Sequence, residues 1–148
     1  TRPTSDRARE GLFSMLQSRV GNFEGLNVAD LFAGTGSLGL EALSRGAAHC
    51  TFVETNRDAL AILRRNIQRL GAAARCEVKA QAVEHVPPPP SPFDLVFIDP
   101  PYDSGLAQVA LDRAGEWLVP GAWVSIEVSR EPLSLPPDLE REAERRYG

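Results

Sequence analysis

The tightest constraint in this sequence is a glycine turn, Gly34-Thr35-Gly36-Ser37-Leu38-Gly39, placed where the hydrophobic pattern changes period. Before it, Asn27 to Phe32 reads as a buried strand. After it, Ser37 to Arg45 reads as a helix closed by Gly46. A strand, a glycine turn and a helix in that order are the context that gives the glycines a meaning. The first permits a tight turn, the second lets a ligand approach the backbone, and the third lets the helix pack close to the strand. A chain that opens this way needs further strands beside the first.

The rest of the sequence supplies them. Ser5 can cap a first helix with Ala8, Leu12, Met15 and Leu16 on one stripe. Residues 50–53 form a second strand. Asn56 caps a helix with Leu60, Leu63, Ile67 and Leu70 on one face, and Gly71 follows its end. A weaker third strand runs over 76–80. The fourth, Phe93 to Ile98, is continuously apolar, which implies burial on both faces. A helix over 106–118 and a strand over 122–128 follow. The segment Pro87-Pro88-Pro89-Pro90-Ser91-Pro92 can be neither helix nor central strand and reads as a stiff connection. Five strands alternating with helices predict an α/β fold: a Rossmann-like, doubly wound, mostly parallel sheet with helices on both faces. At 148 residues the chain is the size of one domain, 1–148. The polar stretch from Leu139 to Gly148 reads as ending before the sheet is finished, and a first residue Thr1 suggests that an N-terminal piece is missing.

Composition excludes several function classes. The longest apolar runs, such as Leu95-Val96-Phe97-Ile98, are far too short for a membrane-spanning helix. No charged-then-apolar leader opens the chain, so a cytoplasmic protein is expected. Cys50 and Cys76 form no Cys-x-x-Cys pair and have no His at metal-ligand spacing, so free thiols and no metal site are expected. His49 and His85 are isolated. The net charge of −4 neither supports nor excludes a nucleic-acid partner. Arg2, Arg7, Arg9 and Arg19 outweigh Asp6 and Glu10 at one end, while Arg141, Arg145 and Arg146 interleave with glutamates at the other.

Two sites carry chemistry. Twenty residues after Gly34 stands Glu54, at the end of the second strand, where a carboxylate can accept hydrogen bonds from both hydroxyls of a ribose. Asp30 lies four residues before Gly34 and directs negative charge at the loop. That is unwelcome beside a pyrophosphate and tolerable beside a sulfonium and an ammonium, so the turn leans toward S-adenosylmethionine. The second site is Asp99-Pro100-Pro101-Tyr102, directly after the fourth strand and therefore beside the glycine turn. An exocyclic amine of guanine, adenine or cytosine is a poor nucleophile because its lone pair is delocalised into the ring. The Asp99 carboxylate and the Pro100 carbonyl can accept its two N–H groups and aim the lone pair. Pro101 holds Pro100 extended, and Tyr102 can stack on the base, a contact worth about 1–3 kcal/mol.

Three stretches together resemble the RsmD-like family of bacterial 16S rRNA guanine-N2 methyltransferases: Arg2-Pro3-Thr4-Ser5-Asp6-Arg7-Ala8-Arg9-Glu10-Gly11-Leu12-Phe13, then residues 30–42 around the glycine turn, and Phe93 to Tyr102. Arg145-Arg146-Tyr147-Gly148 is similar to the family's ending. The resemblance implies S-adenosylmethionine held by Asp30, Ala33, Gly34, Gly36, Glu54, Gln81, Ala82 and Asp99, with the target base on Asp99, Pro100, Pro101 and Tyr102. Arg2, Thr4 and Arg7 become candidate RNA contacts at the mouth of the site. Two departures stand out. Gln81 occupies a position where the family usually has Asp, and the family's basic N-terminal hairpin and final strand are not in this chain. The implied partner is 16S rRNA, free or within an assembled or assembling small subunit, met by a monomer without membrane attachment. A DNA adenine-N6 methyltransferase is the alternative among enzymes of this chemistry, disfavoured by the lack of room for a DNA-recognition domain. A nicotinamide-dependent oxidoreductase would leave Asp-Pro-Pro-Tyr unexplained, and a non-enzymatic nucleotide-binding module would leave it unused.

Overall fold

A computed structural model describes residues 6–102, 104–127 and 133–140. Helix α1 (Asp6–Val20) leads into strand β1 (Asn27–Asp30), followed by α2 (Ser37–Ser44), β2 (His49–Val53), α3 (Arg57–Arg69) and β3 (Cys76–Lys79). The chain then passes through β4 (Phe93–Ile98), α4 (Leu106–Ala114) and β5 (Leu118–Ile126). The five strands lie in the order β3-β2-β1-β4-β5, and every adjacent pair is parallel. From β1 the chain steps outward to β2 and β3, then returns to the other side of β1 for β4. The expected Rossmann-like α/β fold is therefore present, with its switch point between β1 and β4.

Alternation along the strands builds two cores. Val28, Cys50, Phe52, Leu95 and Phe97 face the layer made by α1, α2 and α3. Ala29, Leu31, Val53, Val96 and Ile98 face α4, where Ala110, Leu111 and Ala114 meet them. The central strands β1 and β4 are thus buried on both sides, as the apolar run at 93–98 predicts. Phe13 of α1 anchors the first layer, with its ring centroid 5.7 Å from Phe23 and 5.6 Å from Phe97. On the second face, Pro87–Pro90 lines a cavity of about 40 Å³ together with Thr51, Val53 and Lys79. Among the described residues no helix is long and apolar enough to cross a membrane, and no group of three or more His, Cys, Asp or Glu could hold a metal ion.

Several expectations shift. The buried stripe of α1 centres on Phe13 and Leu16, while Ala8 and Met15 are only half-buried. Ser5, the expected cap, lies outside the described residues. Leu70 is 61% exposed, because α3 ends at Arg69 and Ala59 joins its buried face instead. Helix α4 stops at Ala114, not Leu118, and β5 begins at Leu118, not Ala122. The reason is a bulge in β5: Phe93 pairs with Leu118 but Leu95 pairs with Trp123. Pro120, which has no N–H to give, and Gly121, at φ 82°, lie in the extra length. The expected end of that strand at Val128 lies outside the described residues.

Close packing bears on two of the three turn glycines, Gly36 and Gly39. A Cβ on Gly39 would stand 2.4 Å from the Phe52 ring and 2.7 Å from Cys50 Sγ. Gly39→Ala should therefore destabilise the fold by about 1–3 kcal/mol, despite the better helix propensity of alanine. Gly11 in α1 has nothing within 4 Å of that position, so Gly11→Ala should stabilise by up to about 1 kcal/mol. Urea denaturation midpoints of the two variants test this, with shifts of opposite sign expected.

Candidate active site at the strand ends

The carboxyl ends of β1, β2 and β4 bring three acids together. Asp30 ends β1 and pairs with Phe52 on one side and Phe97 on the other. Glu54 and Asp99 each stand two residues beyond those partners. The glycine loop rises from this edge. Gly34 (φ 56°) and Gly36 (φ 94°) have left-handed backbones, and a Cβ on Gly36 would also meet Leu63 at 2.5 Å.

Side chains hold the loop from below and from the sides. Helix α2 begins after Gly36, which has no side chain to cap it. Its third-residue amide, Gly39 N–H, donates instead to Asp30 Oδ2 at 3.0 Å, so a strand residue performs the capping. Gly34 N–H donates to Glu54 Oε1 at 2.7 Å, while Thr55 and Asn56 N–H donate to Glu54 Oε2 at 3.0 and 2.8 Å. Asn66 of α3 donates through Nδ2 to the Thr35 carbonyl at 3.0 Å. Ala33, buried, donates its N–H to the Val53 carbonyl and accepts from Gly36 N–H. The bracing by Glu54 and Asn66 goes beyond what the spacing suggested. Its only signal in the sequence is a polar residue, Asn66, at the border of the apolar stripe of α3.

Asp30 is 1% exposed and its Oδ1 has no hydrogen-bond partner. Burial pushes its carboxyl up to about 7, against the Gly39 bond, with further upward pressure from the charges of Asp99 and Glu54. Asp99 follows β4 directly, beside the end of β1, where its charge acts on Asp30. Asp99 and Pro100 are half-buried, Pro101 is exposed, and the Tyr102 ring is 63% exposed. A cation set among the three carboxylates would be attracted to all of them.

The other candidate residues divide. Gln81 is exposed and Ala82 half-buried, just past β3, on the same sheet edge as Glu54, whose N–H donates to the Lys79 carbonyl. Arg7 is exposed in the first turn of α1. Arg2, Thr4 and the arginines at 141, 145 and 146 lie outside the described residues. Cys50 is buried and Cys76 half-buried, both free, and burial pushes both thiols up, away from the reactive thiolate.

The raised Asp30 predicts a pH dependence. Its folded value lies above the ordinary 3.8, so the folded chain holds the extra proton between those values. The stabilisation is complete below about pH 4 and is lost as the pH rises through about 7. Relative to Asp30→Asn, the wild type without ligand should lose up to about 4 kcal/mol over that window. Urea denaturation of both proteins across the pH range checks it, and parallel curves would refute it.

Comparison with known proteins fits this architecture. The family described as Conserved hypothetical protein 95 matches residues 1–148. The Ribosomal RNA small subunit methyltransferase D of Haemophilus influenzae is 39% identical over 91% of this chain and 72% of its own length. The protein of the same name from Escherichia coli K12 is 37% identical over 85% of this chain and 63% of its own length. This chain thus spans about two-thirds of the relatives it matches. An Escherichia coli structure, yhhF, proposed to be a methyltransferase, superposes with a TM-score of 0.86 at 33% identity, covering 99% of this chain and 82% of its own. On these grounds the chain belongs to the Conserved hypothetical protein 95 family, the RsmD family of methyltransferases.

Proposed function

We propose that this chain is the catalytic domain of an S-adenosylmethionine-dependent methyltransferase acting on 16S ribosomal RNA, with the exocyclic N2 of a guanine as the acceptor. The observation that carries the reading is the position of Asp99-Pro100-Pro101-Tyr102, which leaves β4 at the switch point, beside the glycine loop and within electrostatic reach of Asp30. Relatives named as small-subunit rRNA methyltransferases, 37–39% identical, supply the substrate class.

The strand ends suit the cofactor. Asp30, Glu54 and Asp99 form an acidic edge that matches a ligand cationic at its sulfonium and its ammonium, and the unpartnered Asp30 Oδ1 is an acceptor awaiting such charge. Glu54 already accepts three backbone N–H groups, two of them on Oε2. A carboxylate offers about four acceptor sites, so one remains on Oε1 for a ribose hydroxyl. A grip on both hydroxyls, expected from spacing alone, therefore requires a backbone bond to yield. Gln81 and Ala82 border the neighbouring space above β2 and β3, where the Gln81 amide can accept from an adenine amine.

When bound, S-adenosylmethionine supplies an electrophilic methyl carbon. This chain's residues prepare the nucleophile. The Asp99 carboxylate and the Pro100 carbonyl accept the two amine N–H groups and draw the nitrogen out of conjugation with the ring. Tyr102, exposed, stacks on the base and fixes its plane. Asp99 takes up the proton that the amine sheds as its new N–C bond forms. Alignment of two held partners accounts for most of the acceleration.

Asp99→Ala should lower kcat by about 10²–10⁴. Cofactor affinity should change by less than about tenfold, since Asp30 and Glu54 remain. Transfer of labelled methyl groups to unmodified small ribosomal subunits measures the first, and calorimetry measures the second. Near wild-type transfer by the variant would defeat the acceptor role. Labelling of duplex DNA in place of rRNA would favour the adenine-N6 alternative, and dinucleotide binding without S-adenosylmethionine binding would favour the oxidoreductase.

A further inference from the structure

Helix α3 has a face that the active site does not use. Ala59, Leu60, Leu63 and Ile67 point into the core. On a 3.6-residue period, Arg65 and Arg69 fall on the opposite side, Arg57 and Arg64 lie on its flank, and all four are exposed. Residues 57–75 hold five of the chain's 16 Lys and Arg but only Asp58 among its 20 Asp and Glu. An acidic protein has gathered nearly a third of its positive charge on one short segment. Solvated helix faces usually mix the two signs.

Among the described residues, some other arginines are engaged within the fold. Arg9 pairs with Asp6 at 3.2 Å and with Glu41 at 3.7 Å, and Arg45 pairs with Glu41 at 2.8 Å. Arg75 spends its guanidinium on the Leu43 and Ala47 carbonyls. Among the described residues, Arg57, Arg64, Arg65 and Arg69 have no carboxylate within 4.0 Å. Nothing in the fold needs them there. The helix starts immediately after Glu54–Asn56, at the lip of the cofactor site, and Asn66 ties it to the glycine loop. From Arg57 to Arg69 the row extends for about 18 Å, enough to pass several phosphates of one strand.

We propose that the outer face of α3 is a docking surface for the phosphate backbone of the rRNA substrate, away from the methylated nucleotide. This rests on the reading of the substrate as rRNA. Four unpaired guanidinium groups complement a polyanion, and their planar forks suit phosphate oxygens. The contact is blind to sequence: it lends affinity and fixes how the substrate lies, while the choice of base stays with the strand ends.

The test replaces Arg64, Arg65 and Arg69 together by Gln in the full-length protein and, separately, by Lys. Methyl transfer to unmodified small ribosomal subunits is followed over a salt series, with S-adenosylmethionine affinity by calorimetry. For the Gln variant, KM for RNA should rise about tenfold or more near physiological salt, and the log–log salt slope should shrink by about 2. Its kcat and cofactor affinity should stay within about twofold, since no residue touching the reacting groups has changed. The Lys variant should recover most of the loss, since a point charge still meets phosphate. Unchanged KM and slope in the Gln variant would overturn the proposal, as would a Lys variant as impaired as the Gln one. If the wild type labels no RNA at all, the enzymatic reading fails instead, and filter binding of 16S rRNA by the same variants still decides the role of this face.

Discussion

The carboxylate of Asp30 accepts the amide hydrogen of Gly39 where neither group reaches water, and the glycine loop is braced from beneath by that bond. A helix normally carries its own cap in the residue before its first turn. Helix α2 begins after Gly36, which has nothing to offer, so the cap comes from the strand beneath. With the capping group below, no side chain of the turn itself has to fold back to cap α2. The positive end of the α2 dipole also lies near the Asp30 carboxylate, which eases its burial without removing the penalty.

That penalty is informative because it is avoidable. An asparagine at 30 could accept the same amide hydrogen without bringing charge into the core. What a carboxylate adds is a negative charge beside Glu54 and Asp99, and one oxygen left unpartnered. Stability and ligand recognition pull in opposite directions at this residue, and the conflict is of the kind that marks functional sites. A cationic ligand would resolve it by supplying the charge that the fold leaves out.

The parallel sheet, its switch point and the turn were all legible in the sequence, because each leaves a local pattern: apolar runs of strand length, helical stripes ending at glycine, and a glycine cluster at the join. The spacing also led to the expectation that Asp30, Glu54 and Asp99 stand at neighbouring strand ends, and they stand at or just past paired positions of β1, β2 and β4, since strand ends in such a sheet converge by construction. Their bonds were not legible. Asp30 was read as directing charge at the loop, and its bond to the Gly39 amide, which caps α2, could not be read from spacing. Glu54 was read as an acceptor for both ribose hydroxyls, and its bonds to Gly34, Thr55 and Asn56 were not foreseen. Both are decided by tertiary placement, which no local period encodes. The displaced α4–β5 boundary has a different origin: apolar residues at 117–119 satisfy a helical stripe and a buried strand equally well, and only pairing with Phe93 selects the strand.

Charge is where a summed property misleads most. A total of −4 looks indifferent to nucleic acid, yet the molecule is sharply divided. The strand ends are acidic, which suits a cationic cofactor and also repels the phosphates of any polynucleotide brought to the same edge. On the proposed reading, the acidic edge repels the substrate's phosphates, so cations outside that edge have to supply the attraction. Short-range contacts such as stacking on Tyr102 act only once the base has arrived. At physiological ionic strength, fields between exposed charges fade over about 8 Å, so the compensating cations must lie close to the acids without joining them. Helix α3 meets that condition at its start, because Arg57 stands three residues after Glu54, and it carries its other arginines outward along the domain. The acidic edge and the basic helix then answer two halves of one problem, how a single small domain attracts a cation and a polyanion at once.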